Sequence, residues 1–207
     1  VIAQPASTPA SGTRVPQDRS APAPVTVLAG PTAVGKGTVA AAIRARYPEL
    51  WLSVSATTRP PRPGEVDGVH YYFLDEDTFT RLVETGQMLE WAVVHGRHRY
   101  GTPRGPVEQH VADSSPVLLE IDLAGARQVR RSMPEARFVF LAPPDWDTLV
   151  GRLIGRGTED EEERRRRLDT ARTELAAEEE FDLTIVNDTV DAACDRLARV
   201  IGLDPVS

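Results

Sequence analysis

At 207 residues, 41% of them hydrophobic, the chain is long enough for one globular domain with a full core, and it holds no apolar run of membrane-spanning length. A net charge of -7 argues against general nucleic-acid binding, which needs a basic face. The single cysteine, Cys194, excludes an internal disulfide and points to a reducing, cytoplasmic setting; beside Ala192 and Ala193 it reads as a buried, inert thiol.

Residues 1–24 are rich in Pro, Ala and Ser, show no apolar period and lack the hydrophobic centre of a secretory signal, so they read as a disordered tail. From Val25 onward strand and helix patterns alternate, which predicts an α/β fold with a parallel sheet covered by helices. An apolar strand at 25–29 runs into a glycine-rich turn, and an alanine-rich helix follows at 36–46. A strand is predicted at 51–55, then a proline-studded loop over 57–68. The next stretch has another character, with strands at 70–74 and 88–94 flanking a short helix at 75–85 that Gly86 ends. It reads as a small mixed insert beside the sheet edge.

A helix is expected to start near Pro103, with Thr102 as its cap. Strand 116–121 then delivers Glu120 and Asp122 at its carboxyl end. Helix 124–133, strand 137–141 and helix 145–154 follow, and Thr158 to Glu161 has capping-box spacing. Three Glu/Arg pairs at i,i+4 (161/165, 162/166 and 163/167) read as a solvated helix face, while Leu168, Ala171 and Leu175 form its apolar stripe. A strand at 183–186 ends in Asn187-Asp188, and a last helix carries Leu197, Val200 and Ile201.

Two stretches carry chemistry. Gly30-x-x-x-x-Gly35-Lys36, between strand and helix, is the pattern of a phosphate-binding loop: curled amides, a helix N-terminus and one ammonium. Lys36 is the only lysine among 24 lysines and arginines, in agreement with a site that wants a compact charge. In Ser55-Ala56-Thr57-Thr58-Arg59-Pro60-Pro61-Arg62-Pro63-Gly64-Glu65, prolines hold two arginines out for an oxyanion, although a solvated basic loop fits the residues equally well. Asp122 follows an apolar strand, where an aspartate either orders magnesium through water or caps the next helix. The four histidines lack metal-ligand spacing, and none is assigned a metal.

Nearly everything after the tail resembles a guanylate kinase. The nucleotide loop corresponds to Gly30, Pro31, Thr32, Ala33, Val34, Gly35, Lys36, Gly37 and Thr38. The substrate-phosphate pattern matches Ser55, Thr58, Arg59, Arg62, Gly64 and Glu65, with Tyr71 and Phe73 after it. Glu90-Trp91, Tyr100-Gly101-Thr102-Pro103, the strand end Glu120-x-Asp122 with Gly125-Ala126, Arg156 to Glu159, Arg167-Leu168 and Asn187-Asp188 complete the resemblance in order.

The resemblance implies a P-loop core (25–56, 103–150 and 181–204), a GMP-binding insert (57–102) and a helical lid (151–180). It implies transfer of the γ-phosphoryl of MgATP to GMP, and to dGMP, giving ADP and the nucleoside diphosphate. ATP would lie on residues 30–38 and Asn187; GMP on Ser55, Arg59, Arg62, Tyr71, Glu90, Tyr100, Thr102, Glu120 and Asp122. The catalytic set would be Lys36, Arg62, Arg156 and Arg167, with magnesium held by Asp122 through water and Thr38 left open as a second candidate. Glu90 would accept from guanine N1 and its amino group, which adenine cannot match.

The family usually has serine after the loop lysine; Gly37-Thr38 resembles adenylate kinases instead, and Arg99 stands where a tyrosine is usual. Two other readings are a non-catalytic module of the same shape and a kinase for another nucleoside monophosphate. Intact loop and lid residues disfavour the module. A GTP switch would need an Asn-Lys-x-Asp motif, and the one lysine is already in the loop. The sequence leaves monomer or homo-oligomer undecided.

Overall fold

The computed structural model describes residues 24–94, 96–154 and 161–203. In chain order the elements are β1 (Val25–Ala29), α1 (Lys36–Arg46), β2 (Trp51–Leu52), β3 (Ala56–Thr57), β4 (Tyr72–Phe73), α2 (Glu76–Glu84), β5 (Met88–Val94), β6 (His98–Pro103) and α3 (Arg104–Ala112). Then come β7 (Val117–Glu120), α4 (Leu123–Ser132), β8 (Arg137–Ala142), α5 (Trp146–Ile154), α6 (Glu161–Leu175), β9 (Leu183–Val186) and α7 (Val190–Ile201).

All five residues of β1 are buried, as befits the central strand of a sheet covered on both faces. The sheet runs β2-β7-β1-β8-β9 with every pairing parallel. Alternation divides the core. Leu28, Leu118, Val139, Leu141 and Ile185 pack with Ile43, Leu149, Leu197 and Cys194 on one face. Val25, Val27, Leu119 and Phe138 pack with Val107, Ala126 and Val129 on the other. Cys194 is buried as expected, and burial raises its thiol pKa. No helix among the described residues is long and apolar enough to cross a membrane.

The predicted strand at 51–55 shortens to 51–52, and a separate strand forms at 56–57, where the loop is expected to begin. Trp51 pairs with Val117 in the main sheet, whereas Ala56 pairs with Tyr72 and Gly101 in a second, four-stranded sheet of order β4-β3-β6-β5. One apolar stretch therefore serves two sheets and carries the chain from core to insert. The second sheet mixes parallel and antiparallel pairs and packs Ala56 and Met88 against Phe79 of α2. Its limits, Ala56 and Pro103, fall one residue outside the 57–102 expectation at each end.

The helix expected near Pro103 begins at Arg104, but its cap is not Thr102, because 98–103 is a strand. Pro103 ends β6 and is itself the N-cap residue of α3, with no side-chain cap. Thr102 instead turns its hydroxyl to Glu90 Oε1 at 2.7 Å. Pairing with β5 overrides the capping signal, because six residues gain a partner strand. Arg99 bonds Glu76 Oε2 (2.8 Å) and Thr80 Oγ1 (2.6 Å) and lies over Phe79, fastening the β5–β6 hairpin to α2. Of the three expected helical ion pairs, Glu162–Arg166 forms at 3.7 Å between exposed side chains, which contributes little. The capping box at Thr158 lies outside the described residues.

Gly30 has φ +156°, and a Cβ there would meet Leu141 O at 2.3 Å. Backbone cannot yield as a side chain tip does. Gly30→Ala is therefore expected to lower the free energy of unfolding by about 2 kcal/mol or more. Gly151 has open space around its Cα, and Gly151→Ala in α5 should raise it by about 0.5–1 kcal/mol. Urea unfolding of both variants checks the pair; equal midpoints would overturn it.

Candidate functional site

Between β1 and α1 the backbone turns through Gly30 and Gly35, with Ala33 also at positive φ (65°), and Val34 N–H closes the turn on Pro31 O at 3.2 Å. Gly35 is left-handed at the N-cap of α1, where no side chain caps the helix and no acidic residue occupies the first turn. The first amides of α1 are thus left to an outside acceptor, and the helix dipole adds to their pull on an anion. Lys36 Nζ folds back to donate to Gly30 O (2.7 Å) and Pro31 O (3.2 Å). Burial lowers its pKa, opposed by the negative charges of Glu174, Glu120 and Asp122.

A cleft of about 810 Å³ opens beside this loop. The loop contributes Thr32, Ala33, Gly35 and Thr38, and Arg152, Arg167 and Asn187 face them. Asn187 is 3% exposed, and its amide donates to Val34 O at 2.8 Å. A Cβ on Gly35 would strike that amide at 2.8 Å, so the glycine is needed for approach as well as for its φ of +100°. Asn187 therefore shapes the loop while lining the cleft.

Behind the loop lies an acidic floor. Glu120 ends β7, and its Oε1 is 3.6 Å from where a Cβ on Gly37 would stand. Partial burial raises its pKa, and Lys36 counters this. Asp122 caps α4, accepting from Gly125 N–H at 2.7 Å. A Cβ on Gly125 would lie 3.1 Å from Glu90 Oε2 and 3.3 Å from Asp122 Oδ1, so both carboxylates meet over one glycine. Glu90 is 8% exposed, and burial pushes its pKa up to about 7 despite the Thr102 hydrogen bond. Gln128 holds this end of β5 against α4 through both backbone groups of Trp91.

The arginine loop behaves differently at its two arginines. The expectation that both guanidinium groups are displayed holds for Arg62, which is exposed, and not for Arg59, which is 9% exposed. Arg59 donates to Tyr100 Oη (3.1 Å), Pro60 O (2.7 Å) and Glu65 Oε1 (2.9 Å), and packs over the Tyr71 and Phe73 rings. The other Glu65 oxygen accepts from Arg62 N–H at 2.7 Å, and the Arg59 hydrogen bond holds that carboxyl below its ordinary range. These contacts engage three of the five guanidinium N–H groups.

The structure gathers Thr32, Ala33, Gly35, Thr38, Arg167 and Asn187 around one cleft, and Arg59, Tyr71 and Tyr100 around one cation. Glu90 holds Thr102 and meets Asp122 over Gly125, while Asp122 and Glu120 act on Lys36, so these four link the loop to the insert. Ser55 is half-buried, and its carbonyl accepts from Tyr72 N–H at 2.9 Å. Arg156 lies outside the described residues.

Two participants escape the sequence reading. Arg152 lines the cleft and donates to Val34 O (3.0 Å) and Asn187 O (3.4 Å); its signal is a lone cation among the apolar residues of α5, one turn before Arg156. Glu174 accepts from Thr32 N–H at 2.7 Å, and no local pattern announces a contact across 142 positions.

Comparison with known proteins agrees with this geometry. The guanylate kinase family model matches residues 23–203. A guanylate kinase of Leifsonia xyli is 65% identical over 86% of this chain and 70% of its own length. One from Thermobifida fusca is 61% identical over 87% and 91% respectively. The crystal structure of guanylate kinase from Anaplasma phagocytophilum superposes with a TM-score of 0.62 at 31% identity, covering 86% of this chain and 84% of that one. A family match across the whole described fold, joined to an uncapped glycine loop with its lysine, makes the chain a member of the guanylate kinase family.

Proposed function

We propose that the chain phosphorylates GMP from ATP, giving GDP and ADP, with the loop side of the cleft holding the donor and the insert holding the acceptor. The carrying observation is the continuity from Lys36 through Glu120 and Asp122 to Glu90, which sets a phosphate-binding loop beside a buried carboxylate able to read a base. Phosphoryl transfer asks for alignment and charge neutralisation more than for covalent chemistry, and the inventory suits that demand. Lys36, now bonded to loop carbonyls, would turn to the donor phosphates, joined by the open amides of α1 and by Arg167. Arg156 belongs to the same catalytic set by resemblance. Arg59, Arg62, Tyr71 and Tyr100 would hold the acceptor phosphate, Arg59 braced from behind by Glu65. Arg62 would also offset the charge shared between the two nucleotides.

Magnesium fits the donor set. Among the described residues no cluster of three or more His, Cys, Asp or Glu could hold a metal unaided. That suits an ion bound by one or two carboxylates together with substrate phosphates. Asp122 caps α4 through Oδ1, Glu120 lies beside Gly37, both carboxylates act on Lys36, and Thr38 lines the cleft. When bound, the ion would neutralise charge on the transferring phosphates. Gly37 supplies no hydroxyl, so the chain's own contribution there rests on carboxylates.

Guanine recognition follows from proton inventory. An ionised Glu90 carries only acceptors and matches the two donors on the guanine edge. Thr102 fixes the carboxyl by donating to Oε1. Adenine would turn its N1 lone pair toward the same carboxylate, leaving buried polar groups opposed.

The reading is tested by an acceptor panel of GMP, AMP and dTMP with MgATP. GMP should be preferred by kcat/KM by about a thousandfold or more; equal use of the three would overturn it. Lys36→Ala should cut kcat by about a hundredfold, as loss of a transition-state donor does, and near-normal turnover would remove Lys36 from its role.

The Glu90 carboxyl, with a pKa of about 7, is neutral below that value and ionised above it. KM for GMP should therefore rise as pH falls through 7, by up to about tenfold per unit, while KM for ATP follows a different profile. In Glu90→Gln that rise should vanish. A GMP KM that stays flat from pH 6 to 8 in the parent would contradict the assignment.

A further inference from the structure

The phosphate loop is not left empty by its own chain. Glu174, in the last turn of α6, accepts a hydrogen bond from Thr32 N–H at 2.7 Å. The carbonyl of the same Pro31–Thr32 peptide accepts from Lys36 Nζ at 3.2 Å. One peptide group is thus held from both ends, by the loop's lysine on one side and by a carboxylate from a distant helix on the other. Glu174 is also the acidic side chain whose charge Lys36 feels most strongly.

Helix α6 does not need this contact for its position. Ala171 is fully buried in the core, and Leu168 and Leu175 pack against it. Arg172 lies 5.0 Å over the Trp146 ring of α5. These apolar and cation–π contacts anchor the helix from its other faces. The Glu174 side chain, half-buried beside an exposed Thr32, is held by less and is free to turn away while the helix stays.

We propose that Glu174 is a positioning residue for the phosphoryl donor: its carboxylate occupies the Thr32 amide in the nucleotide-free protein, and ATP must displace it. The proposal rests on the reading of the loop as the ATP site. A donor phosphate entering the loop brings negative charge to within a few ångströms of a carboxylate, where both cannot persist at that amide. Lys36 faces the same exchange, since it leaves the Pro31 carbonyl to reach the phosphate. Donor binding therefore frees both ends of one peptide in a single event, and it uncouples α6 from the loop at that moment. In the absence of ATP the internal carboxylate keeps the loop curled and keeps weaker anions off the outer amide.

The test measures ATP binding calorimetrically without GMP, and KM for each substrate at steady state, in the full chain. Glu174→Ala removes both charge and acceptor; Glu174→Gln keeps the size and an acceptor oxygen but removes the charge. Glu174→Ala should tighten ATP binding by about three- to tenfold, with KM for GMP changed by less than about twofold. Tightening in both variants assigns the competition to charge, and tightening in Glu174→Ala alone assigns it to the hydrogen bond. Unchanged or weaker ATP binding in both overturns the proposal and leaves Glu174 as a brace. A purely structural side chain would move both KM values together. Should Glu174→Ala unfold, Glu174→Ser, which also removes the charge and withdraws the acceptor from the Thr32 amide, takes its place in the comparison. Lys36→Ala serves as the control: weaker ATP binding there keeps the loop assignment even where Glu174 fails, and unchanged binding removes the loop itself.

Discussion

The structure depends on a helix that begins without a cap. In α4 and α7, Asp122 and Thr189 satisfy the first amides with their own side chains. In α1 the cap position is a left-handed glycine with nothing to offer. Leaving several backbone donors unsatisfied opposes folding unless something else accepts from them, and a loop of this shape survives because the surrounding structure over-determines it. Gly30 seats against the Leu141 backbone, Asn187 and Arg152 both hold the Val34 carbonyl, and Glu174 takes the Thr32 amide. The conformation that suits an anion is thus maintained from four separate elements, β8, β9's end, α5 and α6. None of them is near the loop in sequence.

The second constraint is the burial of Glu90. A carboxyl at 8% exposure beside Asp122 stays neutral further up the pH scale than a surface one, and a ligand that brings donors favours its ionised form. A base reader in water would bind less selectively, because solvent would satisfy whichever groups the wrong base left unpaired. Here the hydroxyl of Thr102 and the approach allowed by Gly125 define where the oxygens point. Gln128, bonded to both backbone groups of Trp91, keeps the strand that carries Glu90 from sliding along α4.

How much of this is legible from residues alone divides along sequence distance. The loop is legible because its signal is local: apolar strand, glycines at fixed spacing, lysine, helix. Helix α1 and strand β1 fall where the pattern puts them. The end of β7 is legible for the same reason, and Asp122 does cap α4 as one of its two readings required. The second short strand at 56–57 is not legible, because nothing local marks Ser53 to Ser55 as a crossing from one sheet to another. The role of Thr102 is lost for the opposite reason. Its local capping signal is genuine, yet pairing with β5 outweighs it, and the hydroxyl finds a buried carboxylate instead.

Arg59 shows why a motif says less than a geometry. Two arginines three residues apart in a proline-rich loop read alike, but folding separates them. Glu65, brought back by the turn at Gly64, spends one oxygen on the Arg59 guanidinium and the other on the Arg62 amide. Arg59 becomes a fixed, ring-stacked cation whose orientation is set before any ligand arrives, and Arg62 remains an exposed one at the surface. A fixed charge contributes most where an anion must be aligned, since no reorganisation is needed at binding. A free charge contributes most where two anions must be brought together from different directions. The same residue type is thus fixed at one position and exposed at the next, which under the proposed function suits alignment and neutralisation, and the difference is made by a single carboxylate and a single glycine.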